Sequence, residues 1–244
     1  MYTGDFETLS YTFSPEGLAV IRLLGPGLSR QTIREFSDAL EHLDSMPGPR
    51  FFLTCGPEGS IFCGGIHLAT FMGSHTDACS VLGEFSFLVG KLLRLGCPSA
   101  ALMSGHAVAG GLMLAAAHDF RVAVDDDSRL IMNELKYGMG VPRSMAAALL
   151  AKFSPSVKRD LMLRLAVLSP REAQLRGVVD LLAKDRDELM RKGLELAHKF
   201  KGLADKNGAY KAIKVAMFAP YVAMARSNDE EESIEALRVF MTKL

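Results

Sequence analysis

Strand-like and helix-like runs alternate over the first 124 of the 244 residues, and this alternation constrains the fold more than any other feature of the chain. The turn signal Ser14-Pro15-Glu16-Gly17 separates residues 8–13 from residues 18–24, which predicts a β-hairpin. Further runs follow in the order 31–43 (helix), 51–54 (strand), 79–95 (helix), 99–103 (strand), 110–117 (helix) and 118–124 (strand). Because parallel strands need long crossover connections, the pattern predicts an α/β fold with a largely parallel sheet and helices outside it.

After about residue 143 the pattern is helical to the end of the sequence. Ser169-Pro170-Arg171-Glu172 supplies a serine cap, a first-turn proline and an early acidic residue, which is typical of a helix start. Residues 177–180 interrupt the pattern with a short extended piece. Amphipathic helices are predicted near 185–201, 207–218 and 229–242. Pro220 and the cap Ser227-Asn228-Asp229 are expected to separate the last two of them.

The charge balance and the hydropathy limit the kinds of molecule to which the protein is expected to bind. Lysine plus arginine and aspartate plus glutamate each number 28, so bulk electrostatics favour neither nucleic-acid binding nor attachment to an anionic membrane surface. No uninterrupted apolar run reaches the roughly 18 residues that a membrane span needs. The acidic start lacks the basic segment of a secretory signal. The scattered cysteines show no C-x-x-C spacing, so we expect reduced thiols in an intracellular protein.

Several motifs that carry chemistry in other proteins are missing from the sequence. It has no G-x-x-x-x-G-K-[ST] phosphate loop and no G-x-G-x-x-G after a strand, which leaves nucleotide-binding folds without their signature. It has no G-x-S-x-G elbow for a serine hydrolase. The six histidines form no H-E-x-x-H motif and no cluster at metal-ligand spacing, so no metal site is predicted.

Two loops in which small residues follow a strand remain as candidates for chemistry. In the first, Gly64 and Gly65 follow an apolar run, and paired glycines allow backbone N–H groups to point into a cleft. In the second, residues 104–109 lead into a small-residue helix that begins near Gly110, and a helix N-terminus stabilises an anion. Each loop alone is more typical of a tight turn or of close helix–sheet packing. Together they predict an oxyanion hole, in which two backbone N–H groups converge on one carbonyl oxygen.

An anion-stabilising pocket needs a base that creates the anion, and Glu134 is the candidate. It lies in a mainly apolar run after the strand predicted at residues 118–124. Burial among Ile131, Met132 and Leu135 is expected to raise its pKa, as a proton-abstracting carboxylate near neutral pH requires. The alternative is a surface glutamate that pairs with Lys136.

Four blocks in this order resemble the crotonase (enoyl-CoA hydratase/isomerase) superfamily over about residues 6–200. Residues 61–68 resemble its F-C-A-G-x-D-L loop, and residues 98–119 resemble its P-x-x-A-x-x-G-x-A-x-G-G-G…D stretch. Residues 132–142 resemble its P-E-x-x-x-G-x-x-P segment, and residues 169–180 resemble its S-x-x-E-A-x-x-x-G-L-V helix and strand. The resemblance implies a crotonase-like ββα spiral core that binds acyl-CoA, at residues 1–195. It also implies a C-terminal helical trimerisation region at 196–244 that packs on the core or on a neighbouring subunit. The expected assembly is a homotrimer or a hexamer built as a dimer of trimers.

The resemblance also assigns roles to residues. The backbone N–H groups of Ile66 and Gly110 would hold the thioester oxygen, and Glu134 would be the catalytic base. The acyl-CoA is expected along Gly64, Gly65, Ile66, His67, Leu68 and Gly110. No cofactor is implied, because coenzyme A is part of the substrate. Ala109 replaces the first glycine of the family's triplet and His67 replaces its usual acid, which leaves the local loop shape open.

Met113 decides which reaction the resemblance implies. The hydratases of the superfamily use two glutamates to activate a water molecule, and these fall on Met113 and Glu134. A thioether accepts no proton, so one carboxylate and an oxyanion hole remain. That pattern is similar to the Δ3,Δ2-enoyl-CoA isomerases, which convert 3-enoyl-CoA to 2-trans-enoyl-CoA in fatty-acid β-oxidation. The spacing of residues 138–142, one residue longer than the hydratases' G-x-x-P, also resembles the peroxisomal isomerases.

Other activities of the same superfamily stay open. Weak hydration, dienoyl-CoA isomerisation or thioester hydrolysis would need a second acid, and neither Glu58 nor Glu84 falls at a family position for one. A non-catalytic acyl-CoA-binding member, in which Glu134 only forms a salt bridge, is the remaining alternative. Arg30 is a candidate contact for the CoA phosphates.

The last three residues suggest an address. Thr242-Lys243-Leu244 differs by one substitution from the Ser-Lys-Leu peroxisomal signal. Together with the resemblance to the isomerases, this predicts a peroxisome or a related organelle, with the cytoplasm as the alternative.

Overall fold

The computed structural model describes residues 2–4, 6–59, 61–72, 74–227 and 230–241. Its strands and helices are, in chain order, β1 (Tyr2–Gly4), β2 (Leu9–Phe13), β3 (Leu18–Leu23), α1 (Arg30–Ser45), β4 (Phe51–Cys55), β5 (Ile61–Cys63), α2 (His75–Leu93), β6 (Ser99–Met103), β7 (His106–Val108), α3 (Gly110–Ala117), β8 (Phe120–Val124), β9 (Leu130–Ile131), α4 (Arg143–Lys152), α5 (Pro155–Leu163), β10 (Val167–Leu168), α6 (Pro170–Leu175), β11 (Leu181–Ala183), α7 (Arg186–Phe200), α8 (Ala209–Ala225) and α9 (Glu230–Met241). Short 3-10 helices add Leu68–Met72, Glu134–Tyr137 and Lys201–Asp205.

Within these ranges, seven strands form a sheet in the order β1-β2-β3-β4-β6-β8-β11. The first three strands are antiparallel, and the pairs from β3 to β11 are parallel. A smaller sheet has the order β10-β9-β7-β5, in which β5, β7 and β9 run parallel. The predicted hairpin and the predicted parallel sheet with helices outside are therefore confirmed.

Helix α3 lies at the centre of the core because it has no polar side chain to present to water. Every residue from Gly110 to Ala117 is buried, as expected for a helix that is apolar all round. Its close approach to β5 requires a glycine, since a Cβ on Gly111 would lie 2.0 Å from the carbonyl oxygen of Cys63. Helix α3 thus packs closely against β5 and also places its N-terminus near that strand.

Two predicted extended segments begin too early in the sequence. Strand β8 begins at Phe120 rather than at residue 118. His118 instead follows α3, where its buried ring donates from Nδ1 to the carbonyl of Leu114 and contacts the Thr54 hydroxyl at 2.8 Å. The extended piece expected at 177–180 is a turn, because Gly177 has a positive φ of 71°, and strand β11 begins at Leu181.

The prediction that Pro220 separates the last helices is also wrong, because Pro220 lies inside α8. Proline removes one helical hydrogen bond, but this position faces solvent, whereas Phe218 and Ala225 on either side are buried against the core. Packing of these neighbours keeps the helix continuous. Of the predicted cap, Ser227 is outside the helices, and residues 228–229 lie outside the described residues.

Helix α8 packs on α2 and α4 of its own chain, and α9 packs on α2. A buried polar cluster anchors α8: the ammonium group of Lys214 donates to Asp119 at 3.0 Å and to the carbonyl of Leu92 at 3.2 Å. The Tyr210 hydroxyl donates to the same carboxylate at 3.0 Å. Contact of these helices with a neighbouring subunit stays a prediction. In the described part of the chain, no helix has the length and apolarity needed to cross a membrane.

Candidate active site

A cavity of about 610 Å³ lies between the two glycine-containing loops, the turn that carries Glu134 and helix α9. The lining is mostly apolar, which suits a ligand with a hydrocarbon part. Met113 lines it, as do the residues to which the resemblance assigned catalysis or acyl-CoA binding: Gly64, Gly65, Ile66, His67, Leu68, Gly110 and Glu134. The tertiary structure therefore brings together segments that lie up to 70 residues apart in the sequence.

The first loop follows β5 and is held by backbone hydrogen bonds on both sides of Ile66. Gly65 adopts a positive φ of 88°, and its carbonyl accepts the N–H of Leu28 at 2.8 Å. The N–H of His67 donates to the carbonyl of Leu28 at 3.0 Å. The N–H of Ile66 between them has no acceptor among the hydrogen bonds of the described residues. This peptide is thus fixed in place with a free donor.

The second loop presents the first N–H of α3. Ala109 precedes the helix, and its carbonyl accepts the N–H groups of Leu112 and Met113 at 3.0 and 3.1 Å. Within the described ranges, the N–H of Gly110 donates to no protein group, as expected for the first turn of a helix. A Cβ placed on Gly110 would lie 3.5 Å from the nitrogen of Ile66, so the two unpaired donors are close neighbours. They can converge on one oxygen atom.

The backbone conformation of Ala109 shows the shape of the loop in which alanine replaces the glycine of the family's triplet. It has φ 53° and ψ −122°, a conformation that glycine adopts freely and that strains an L-residue by about 1–3 kcal/mol. The loop keeps the shape that glycine would favour, and the alanine is strained. Its N–H donates to the carbonyl of Ile131 at 2.9 Å, which ties the loop to β9.

Glu134 begins a tight 3-10 turn directly after β9, and Gly138 ends this turn with a positive φ of 72°. Burial raises the pKa of the Glu134 carboxyl to about 7, and the backbone N–H groups of Glu134 and Asn133 offset part of the rise. Its Oε2 atom is buried and has no hydrogen-bond partner among the described residues. An ion pair with Lys136 is absent from the described part of the chain, where that ammonium group lies 5.9 Å from the Tyr137 ring centroid.

The surroundings of Glu134 differ in one respect from the prediction. Leu135 was expected to help bury Glu134. Leu135 is instead 50% exposed, because it lies on the outer side of the 3-10 turn. Met139 and Val141 line the same cavity as Glu134 instead. In the larger cavity, the apolar residues beside Glu134 therefore come from the segment after the turn rather than from the next residue in the sequence.

Glu134 is the one carboxylate among the described residues that line the cavity. Met113 is fully buried and lines the same cavity, so this wall carries a thioether and no acid. Glu84 lies elsewhere and forms ion pairs with Arg30 and Arg34 at 2.7 and 2.9 Å. Glu58 is exposed and does not line the cavity. The cavity thus offers one titratable carboxyl group to a bound ligand.

Two further observations concern ligands. Arg30 does not line the cavity, and its guanidinium donates to Glu84 and to the Ser80 hydroxyl at 2.6 Å. Over the ranges that the structure describes, no group of three or more His, Cys, Asp or Glu residues is placed to hold a metal ion. The remaining polar side chains at the cavity belong to His67, Asn133 and Tyr137.

Sequence reasoning missed the wall that α9 contributes to the cavity. Leu237 and Phe240 line it, and the Phe240 ring packs edge-on against Phe71 with centroids 6.0 Å apart. The amphipathic pattern of residues 229–242 indicated a buried face, but nothing in the sequence indicated what that face covers. The C-terminal helix therefore closes the cavity of its own chain.

Comparisons with known proteins identify the family of the chain. The enoyl-CoA hydratase/isomerase family model matches residues 14–240. The chain is similar to peroxisomal enoyl-CoA delta isomerase 2 of Arabidopsis thaliana, with 33% identity over 181 residues, 70% of this chain and 75% of that protein. It is also similar to a probable enoyl-CoA hydratase of Bacillus subtilis, with 28% identity over 75% of this chain and 72% of that protein. A crystal structure of an enoyl-CoA hydratase/isomerase family protein from Pseudomonas syringae superposes with a TM-score of 0.84 at 22% identity, covering 94% of this chain and 98% of that one. The predicted crotonase-like fold is thereby confirmed.

Proposed function

Because this chain belongs to the enoyl-CoA hydratase/isomerase family, whose members act on acyl-CoA, we propose that it converts 3-enoyl-CoA to 2-trans-enoyl-CoA in fatty-acid β-oxidation. One observation carries the proposal: Glu134 is the single carboxylate among the described residues that line the cavity. One base is enough for a proton transfer between two carbon atoms of the same substrate.

The oxyanion hole makes the first proton transfer possible. The thioester carbonyl oxygen accepts the N–H groups of Ile66 and Gly110, which have no other acceptor in the described structure. These donors stabilise negative charge as it develops on that oxygen. The C2 proton becomes acidic because the electrons of the broken C–H bond spread over the carbonyl group and the C3–C4 double bond.

Glu134 then moves one proton from C2 to C4. Its carboxylate removes the C2 proton, and a dienolate forms on the oxyanion hole. The protonated carboxyl returns the proton to C4, the double bond shifts to C2–C3, and the base is regenerated. A pKa of about 7 suits both steps, because the group both accepts and donates a proton near neutral pH.

Met113 favours isomerisation over hydration. Water addition would require a second carboxylate to position the nucleophile, and the buried thioether at this place accepts no proton. An apolar wall opposite the base also helps to keep water from the dienolate. The similarity to proteins named hydratases makes the distinction one that must be measured.

Turnover of 3-hexenoyl-CoA tests the proposal. We expect the wild type to form the conjugated 2-enoyl-CoA and Glu134→Gln to lose about 10²-fold or more in kcat/KM, because the amide cannot take the proton. Glu58→Gln, an exposed residue outside the cavity, is the matched control. Full activity of the Glu134 variant would show that the base is misassigned. Formation of 3-hydroxyacyl-CoA would indicate that the protein is a hydratase. Binding of the ester without turnover would indicate a non-catalytic role.

We also propose a homotrimer or a dimer of trimers, in which the C-terminal region of residues 196–244 contacts a neighbouring subunit as well as the core of residues 1–195. Exposed apolar side chains on α8 support this, since Ile213, Val215 and Met217 are 60%, 42% and 62% exposed. Light scattering tests it: Met217→Glu should reduce the particle mass, whereas Leu175→Glu, on α6, should not. A monomeric wild type would contradict the assembly.

We also propose that the protein is located in peroxisomes. This location is supported by the name of the Arabidopsis relative and by Thr242-Lys243-Leu244, which lie outside the described residues. A fluorescent reporter that ends in these three residues should enter peroxisomes, and one that lacks the final leucine should not. A reporter that stays in the cytoplasm with the intact ending would contradict the signal.

A further inference from the structure

A second, smaller cavity of about 180 Å³ also has Glu134 in its lining. It shares Glu134, Met139, Gly140 and Val141 with the larger cavity. Its own walls come from Met132, Leu135, Met162 and Leu163. Glu134 and the loop after it therefore form part of the wall of both cavities.

The smaller cavity is apolar apart from Glu134. Met132 lies at its buried end, whereas Leu163 and Leu135 are 71% and 50% exposed and form the end near the surface. Leu163 is the last residue of α5. A hydrocarbon chain is the ligand chemistry that such a lining favours, because each buried methylene gains free energy on leaving water.

The direction of the substrate follows from the proton transfer. Glu134 must reach both C2 and C4, so it lies beside C4. The chain from C5 onward therefore begins close to Glu134. The smaller cavity adjoins Glu134 and extends to Met162 and Leu163. We propose, on the basis of the isomerase function above, that the acyl chain beyond C4 runs past Glu134 into this cavity, and that Met162 and Leu163 determine the preference for acyl chain length.

The expected size of the preference follows from the burial of methylene groups. Each methylene that enters an apolar site strengthens binding by about fourfold. Decanoyl-CoA has four more methylenes than hexanoyl-CoA, so it should bind at least 10-fold more tightly even when only part of the added chain is buried. A route toward α9, ending at Leu237 and Phe240, is the competing path within the larger cavity.

Binding of saturated esters tests the inference without depending on turnover. Dissociation constants of hexanoyl-CoA and decanoyl-CoA are measured by calorimetry for the wild type, Leu163→Asp, Leu175→Asp and Phe240→Ala. Leu163→Asp should lower the preference for decanoyl-CoA by about 10-fold, since it places a charge beside the end of the chain. Leu175→Asp, at an 87% exposed residue that lines neither cavity, should keep the wild-type ratio.

Two results would overturn the inference: equal affinity of the wild type for both esters, or a preference that Phe240→Ala removes and Leu163→Asp leaves intact. Neither result bears on the conversion of 3-hexenoyl-CoA, which tests the proposed function separately. Conversely, a protein that shows the expected binding ratios but no turnover would keep the chain-length site and lose the isomerase activity.

Discussion

The backbone N–H of Gly140 donates to the carbonyl of Ala236 at 2.7 Å, which joins the segment after Glu134 to helix α9. A second bond reinforces this junction, from the N–H of Arg143 to the Glu232 carboxylate at 2.9 Å. The helix that closes the cavity and the loop that carries the base are therefore held to each other. Changes at this junction should affect the site although no side chain there reacts.

Gly140→Val tests the junction. A Cβ on Gly140 would lie 3.0 Å from both the Cα and the Cβ of Ala236, so valine should push α9 away from the cavity. We expect a fall of about 10-fold or more in kcat/KM for 3-hexenoyl-CoA, because water then enters the site. Gly202→Val is the control, as a Cβ there meets no atom within 4 Å. Wild-type kinetics for the Gly140 variant would contradict the role of this contact.

The activity should depend on pH through Glu134. Burial raises the pKa of its carboxyl to about 7, and only the ionised form can take the C2 proton. We expect kcat/KM to rise tenfold per pH unit below about pH 7 and to level off above it, measured between pH 5 and pH 9. An inflection near the ordinary value of 4.5 would show that the group is hydrated in solution.

Glu134→Gln should stabilise the protein, with a pH dependence of defined sign. The pKa of Glu134 is raised on folding, so ionisation destabilises the folded state as pH rises from 4.5 through about 7. Glutamine removes that penalty, and we expect the free energy of unfolding to increase by about 1–3 kcal/mol at pH 8. Near pH 4, where both states are protonated, the two proteins should differ little. Urea unfolding at both pH values measures this, and a difference that is larger at pH 4 would contradict it.

Ala109→Gly should also stabilise the protein. The substitution relieves the strain of φ 53°, and this gain exceeds the added entropy of glycine in the unfolded chain. We expect an increase of about 1 kcal/mol in the free energy of unfolding. Ala115→Gly, the same substitution in the middle of α3, should instead decrease it by about 1 kcal/mol. A destabilised Ala109 variant would mean that the backbone there is relaxed.

Local sequence patterns were sufficient for much of the fold. The bounds of β6 and α3 match the prediction at both ends, because an apolar strand, a glycine-rich turn and a small-residue helix each follow from neighbouring residues. The boundaries at His118 and Gly177 and the course of the chain through Pro220 were predicted wrongly. In each case a tertiary contact or a glycine conformation outweighed the local preference.

The sequence alone determined which residue types could meet at the site: two loops with free backbone donors, one carboxylate, and a methionine in place of a second acid. Only the tertiary structure decided that these segments line one cavity, that α9 closes it through Gly140 and Ala236, and that a second cavity adjoins Glu134. The reason is physical. Residue type and spacing set local conformation, whereas the enclosure that desolvates Glu134 depends on segments about 100 residues apart in the chain packing against one another.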